Sequence, residues 1–293
     1  EDKGFTGISI DGDIHLNPLN VSKFQPYLKK VLAKTPSDSW LSIDSSFSGN
    51  LGGALKTEGV LKYSSDARQE RAVLRDASVP HRGGLQYKIS MDKDSINIEE
   101  LKTESGPFKF NASGSLKEIF SKDPVVQIDM KTDAFQINKS IDYLPLNIFP
   151  EDYHAVIQKT FKNGSVKLNS FKFNGTVKQL REISKPENRA KITGEVEMRK
   201  VDWQSPLPPL QKVTGTFKVD KGNSSFHIQK ARYEKQPLTN LQGSIENFMT
   251  RPVADLSLEN TVEIAQFHRT LKSAFKGHPI HDALSVYSDF KGS

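Results

Sequence analysis

Leu41-Ser-Ile-Asp-Ser-Ser-Phe-Ser-Gly49 is the stretch on which the reading of this chain turns. Leu41, Ile43 and Phe47 alternate with Ser42, Asp44, Ser46 and Ser48. A period of two sends apolar side chains to one side of an extended backbone and polar ones to the other, so this is a strand with one buried face. The string returns almost intact as Leu284-Ser-Val-Tyr-Ser-Asp-Phe-Lys-Gly292. A looser copy runs Val166-Lys-Leu-Asn-Ser-Phe-Lys-Phe-Asn-Gly175. The looser copy holds one extra residue, which predicts a β-bulge near Asn169-Ser170.

The pattern extends outward from these copies. Ile89 and Met91 lead through Asp92-Lys93-Asp94 into Ile96 and Ile98. Phe217 and Val219 lead through Asp220-Lys221-Gly222-Asn223 into Phe226 and Ile228. Asp, Asn and Gly supply turn conformations between period-2 runs, so both stretches read as hairpins. The two turns lie 128 residues apart. Gly114-Ser-Leu followed by Pro124-Val-Val-Gln-Ile-Asp-Met130 likewise matches Gly243-Ser-Ile followed by Pro252-Val-Ala-Asp-Leu-Ser-Leu258.

Three segments take helical spacing instead. Phe24, Tyr27, Leu28, Val31 and Leu32 form one stripe behind a Ser22-x-x-Gln25 capping box, predicting a helix over about 22–34. Tyr153, Val156, Ile157 and Phe161 follow Pro150 and stop at Asn163-Gly164, predicting a helix over about 150–162. Ile264, Phe267, Leu271 and Phe275 end before Gly277, predicting a helix over about 263–276. The expected fold is mainly β: an elongated, curved antiparallel sheet built from repeats, with short amphipathic helices at the repeat joints. Residues 1–40 read as the end of a preceding repeat, 41–163 and 164–283 as two repeat units, and 284–293 as the start of a further one. Stacked repeats bury their apolar faces against one another, so function is expected along a continuous surface.

Composition narrows the chemistry. At 293 residues, with 35% hydrophobic and 26% charged residues, the chain suits an extended sheet with one wet face. Absence of cysteine excludes disulfides, thiolate chemistry and Cys-based metal sites. The net charge of +6 comes from scattered lysines such as Lys167, Lys172 and Lys178, read as a solvated strand face and not as a nucleic-acid footprint. No bilayer-spanning apolar run and no signal peptide is seen.

Catalytic motifs are missing. His278-Pro-Ile-His281-Asp282 lacks the one-face spacing of a helical metal site and reads as a loop. Gly52-Gly53 and Gly83-Gly84 read as turns, and Asp92 with Asp94 or Glu99 with Glu100 as charged turns and strand ends. Ser64 to Arg82 reads as an irregular edge or mobile element, and Pro206, Pro208 and Pro209 mark an irregular crossing. The expectation is a non-enzymatic protein with no catalytic residue, no metal and no cofactor.

One further pattern spans both units. Pro209-Leu-Gln-Lys-Val-Thr-Gly-Thr-Phe-Lys-Val-Asp220, then Ser225-Phe-His-Ile-Gln-Lys-Ala-Arg-Tyr233, then Gln236-Pro-Leu-Thr-Asn-Leu-Gln-Gly-Ser-Ile245, resembles the AsmA-like (AsmA/TamB/YhdP-type) proteins of Gram-negative envelopes. The likeness is one of strand and turn pattern, not of a catalytic signature. It implies a periplasmic β-groove, tethered to the inner membrane by a segment outside this chain and moving phospholipid toward the outer membrane.

The residues that would line such a groove are Ile43, Phe47, Ile89, Met91, Val126, Ile128, Met130, Val166, Leu168, Phe217, Val219, Leu256 and Leu258. Each methylene of a lipid tail buried there contributes about 0.8 kcal/mol, so phospholipid or glycolipid acyl chains could be held without specific polar contacts. Inner- and outer-membrane proteins are the further partners this implies, and nucleic acid is not among them. The alternative left open by the residues is a closed β-sandwich in which the same side chains form an ordinary core, serving as a structural or adhesive interaction module.

Overall fold

The structure is a computed structural model and describes residues 8–20, 39–50, 52–65, 73–74, 77–78, 82–105, 108–140, 161–183, 185–203, 210–233, 236–246 and 253–258. Its strands in chain order are β1 (Ser9–Asn20), β2 (Ser39–Asn50), β3 (Leu55–Ser65), β4 (Val73–Leu74), β5 (Ala77–Ser78), β6 (Arg82–Met91), β7 (Ser95–Ser105) and β8 (Phe108–Lys117). They continue as β9 (Val125–Thr132), β10 (Phe135–Gln136), β11 (Ser165–Thr176), β12 (Ile192–Trp203), β13 (Leu210–Asp220), β14 (Asn223–Tyr233), β15 (Gln236–Glu246) and β16 (Val253–Leu258). Three helical turns accompany them: α1 (Ile137–Ser140), α2 (Val177–Arg181) and α3 (Pro186–Arg189).

Among the described residues, thirteen strands lie side by side in one antiparallel sheet, from β1 at one edge to β16 at the other. The order follows the chain, with only β4, β5 and β10 off the path. This is the mainly β, open-sheet fold that the period of two predicts, and an elongated, curved sheet is compatible with it. A run of six strands, β2, β3, β6, β7, β8 and β9, is followed by a second run, β11 to β16. The Asp92 and Asp220 turns each join the third and fourth strands of their run.

Both predicted hairpins are present. Asp220 pairs with Asn223, and Lys221 and Gly222 take φ of 48° and 89°. Two consecutive left-handed residues twist the chain in the sense the flanking strands require, which is why a Gly stands there. At the other turn the Asp92 N–H donates to the Ser95 carbonyl at 2.9 Å, and the Asp92 carboxylate accepts from the Asp94 N–H at 3.0 Å. The register between β11 and β12 shifts between Leu168 and Ser170, where the extra residue of the looser copy places a bulge.

Several expectations are corrected. Gly83 and Gly84 lie within β6, paired with Tyr63 and Lys62, since a glycine flanked by regular pairing on both sides continues a strand. Glu99 and Glu100 stand inside β7 at a register shift, not at a strand end. Ser64 and Arg82, the ends of the segment expected to be irregular, pair with each other in the main sheet, and Val73–Leu74 pairs with Ala77–Ser78; the rest of that segment lies outside the described residues. Lys178 belongs to α2, not to a strand.

Phe161 makes a single bridge and the Lys162 N–H donates to the Asp202 carbonyl, so these two residues are not helical as the 150–162 reading had them. The rest of that helix, the helices expected over 22–34 and 263–276, the Pro206–Pro209 crossing, the His278–Asp282 loop and the 284–293 strand lie outside the described residues.

Candidate functional site

Residues paired across an antiparallel sheet share a face, so the registers show where each groove candidate lies. One row runs Gly12, Phe47, Thr57, Ile89, Ile98, Gly114, Ile128, Phe173, Ile192. The row beside it runs Ile10, Gly49, Leu55, Met91, Ile96, Leu116, Val126, Gly175. Ile43 sits between Leu16 and Leu61, and Met130 pairs with Phe171, which faces Gly194 and then Val219. Past the β11 bulge, Leu168 continues through Val196, Phe217, Phe226 and Gly243 to Leu256. Val166 continues through Met198, Gly215, Ile228 and Leu241 to Leu258. All thirteen candidates therefore fall on a single face.

The opposite face is polar and laced by directly opposed charges. Lys88 lies 3.6 Å from Glu58, Lys172 3.4 Å from Asp129, and Lys218 3.0 Å from Glu195. The Lys218 ammonium, and then the Asn169 side chain that donates to Glu195, hold the Glu195 carboxyl below the usual range. Exposed pairs of this kind fix register more than they add stability. Lys167 and Lys172 occupy this face, as a solvated surface requires, while Lys178 lies off the sheet in α2.

Glycines mark where neighbouring strands come closest. A Cβ on Gly59, Gly114 or Gly215 would come closer than 3.0 Å to the backbone of Asp44 and Ser45, Gln127 or His227, respectively. A neighbouring backbone standing where a side chain would project leaves room only for glycine.

Coverage of this face differs along the sheet. Ile14 and Leu16 of β1 are 47% and 41% exposed, and Met91 is also exposed, whereas Val201 and Val213 are fully buried. Ile137, Met198, Val201, Val213, Ile228 and Ala231 form a closed cluster, with Phe161, Val166 and Phe217 packed on it. Register shifts follow Met198 in β12 and Gln211 in β13, where Lys200 and Lys212 take φ of 54° and 51°. Bulges in adjacent strands bend them together, and the residues just beyond, Val201 and Val213, are fully buried. Asp202 locks the bend: its carboxylate accepts from the Lys212 N–H at 3.0 Å and from the Asn163 side chain at 2.9 Å.

A polar notch is set into the apolar face. Tyr87 donates to the Ser45 hydroxyl at 2.8 Å, and Ser45 in turn donates to the Glu58 carbonyl at 3.2 Å, 3.2 Å from the Thr57 hydroxyl. Sequence reading missed this group because each residue looks like an ordinary strand position. It also missed Ile10, Ile14, Leu16 and Phe173, although the same alternation marks them.

Among the described residues no three metal-ligating side chains come together, and no helix is long and apolar enough to cross a membrane. His15 and His227 stand on the polar face; His15 lies 3.0 Å from the Asp44 carboxylate. Comparison with family models, with curated proteins and with solved structures gives no match.

Proposed function

We propose that this chain is a non-enzymatic lipid-binding or lipid-transfer segment of an AsmA-like cell-envelope protein, its apolar face curving into a β-groove for phospholipid acyl chains in the periplasm. One observation carries the reading: a single apolar face extends through all thirteen strands and is left exposed at its β1 end. Large contiguous apolar surfaces are rare on proteins that bind nothing. Tails would lie along the face while headgroups stay in water at its rim, with no bond made or broken and no cofactor required. Inner- and outer-membrane proteins are the proposed partners at its ends.

The closed cluster around Val201 and Val213 favours a second reading for the β11–β15 half, a structural or adhesive sandwich-like module. Lipid extraction and native mass spectrometry on protein from a bacterial envelope fraction separate the two. Phospholipid should accompany the wild type and be lost in Leu16→Asp/Met91→Asp, whose sites are exposed enough to leave folding intact. Lipid-free wild-type protein would transfer the assignment to the interaction module.

A further inference from the structure

Among the described residues the polar face carries one aromatic interruption. Trp40 stands at the start of β2, on the face of Ser42 and Asp44, and is 36% exposed. Its cross-strand partner is Ser64; one row further along, Ser42 faces Lys62, which faces Gly84. A Cβ on Gly84 would meet nothing within 4 Å, so the backbone there forms a bare floor beside the indole. Trp40, this floor and the neighbouring side chains enclose an open recess of about 680 Å³. That volume lies in the range of small-molecule sites.

The lining selects a ligand class. The lining joins apolar surface from Pro18, Trp40 and Val60 to the polar groups of Ser42, Ser64 and Gln86, so a wholly apolar guest would strip water from those three with no hydrogen bond in return. A small inorganic anion would make no use of the indole. A sugar ring satisfies both parts, because its C–H face stacks on an aromatic plane while its ring hydroxyls reach hydroxyl and amide groups. Charge narrows the choice further. Lys102 is held by Glu100, but among the described residues Lys62 has no carboxylate partner.

We propose that this recess binds a carboxylated sugar ring, of the uronic-acid class, stacked on Trp40 with its carboxylate on Lys62. The site lies on the face opposite the apolar groove and does not depend on the lipid reading.

The chain has two tryptophans, so Trp203→Phe leaves Trp40 as the sole indole reporter. Titration with glucuronate should give a saturable fluorescence change, and glucose should bind about fivefold more weakly, the margin of one exposed ion pair. Gly84→Val fills open space, so it should keep the circular dichroism spectrum and lose binding of both sugars. Lys62→Gln should abolish the preference for glucuronate while keeping glucose binding. Undiminished binding in Gly84→Val, or no saturable change with glucuronate, overturns the site. Equal affinity of the wild type for the two sugars overturns the assignment of Lys62.

Discussion

Phe47 and Phe173 occupy the same place in two copies of one motif, three positions ahead of Asn50 in β2 and of Thr176 in β11. Both rings lie over a glycine: a Cβ on Gly12 would come 2.9 Å from the Phe47 ring, and one on Gly175 would come 2.9 Å from the Phe173 ring. Yet Phe47 is only half-buried while Phe173 is 1% exposed. The difference lies in the connection that leaves each strand. β2 turns directly into β3 through Asn50–Ala54, whereas β11 runs into α2 and α3 before β12 begins.

Thr176 and Gln179 form a capping box at the start of α2, and the Gln179 side chain lies over Gly175 beside the Phe173 ring. Ile183 after α2 is buried as well. Two copies of one strand are open or closed according to their connections, and periodicity within the strand carries no record of it.

The sharpest way to break this comparison is truncation of the two rings. Phe173→Ala should lower the free energy of unfolding by about 3–5 kcal/mol, and Phe47→Ala by about 1–2 kcal/mol, in urea titrations. Equal losses would mean that the cover over Phe173 contributes nothing.

Next in size is the lock on the bent strands. Asp202→Ala should cost about 1–3 kcal/mol, because it leaves the Lys212 N–H without its acceptor. The Lys212 amide should then exchange with deuterium faster, while amides of β2 and β3 keep their wild-type rates. Spread of the effect into β2 and β3 would contradict a local role.

The smallest effect is expected where α2 is tied to the start of β9. The Thr176 hydroxyl and then the Lys178 backbone N–H, at 2.9 Å, hold the Asp123 carboxyl below its ordinary value of 3.8. A folded-state value below the unfolded one means stabilisation that is present above the unfolded value and lost as pH falls through the folded one. Asp123→Asn should therefore speed exchange of the Lys178 amide at neutral pH, with the difference from wild type fading below pH 3.8. A difference that persists in acid would show that the carboxylate charge is not what holds the loop.

Much of this was legible from local pattern. Alternation such as Leu41–Phe47 named the strands and placed thirteen groove candidates on one face, and the extra residue of 166–175 located a bulge. Turn chemistry placed both hairpins. The capping box Thr176-Val-Lys-Gln179 was also in plain view, but the short segment it opens has no long apolar stripe, so it was passed over. Gly83-Gly84 was misread for a related reason, since two glycines suit a turn as well as a strand whose neighbour needs open space.

The sequence by itself determined that this is a β protein, which side of each strand is apolar, and where the chain reverses. Those properties depend on the alternation of side chains along an extended backbone and on residues that tolerate a positive φ. Only the tertiary structure decided that neighbouring strands close up at Gly59, Gly114 and Gly215, that the apolar side stays open by β1, and that it closes around Val201 and Val213. Close approach and cover arise where separate strands and connections meet. Those contacts join residues far apart in the chain, and no local period encodes them.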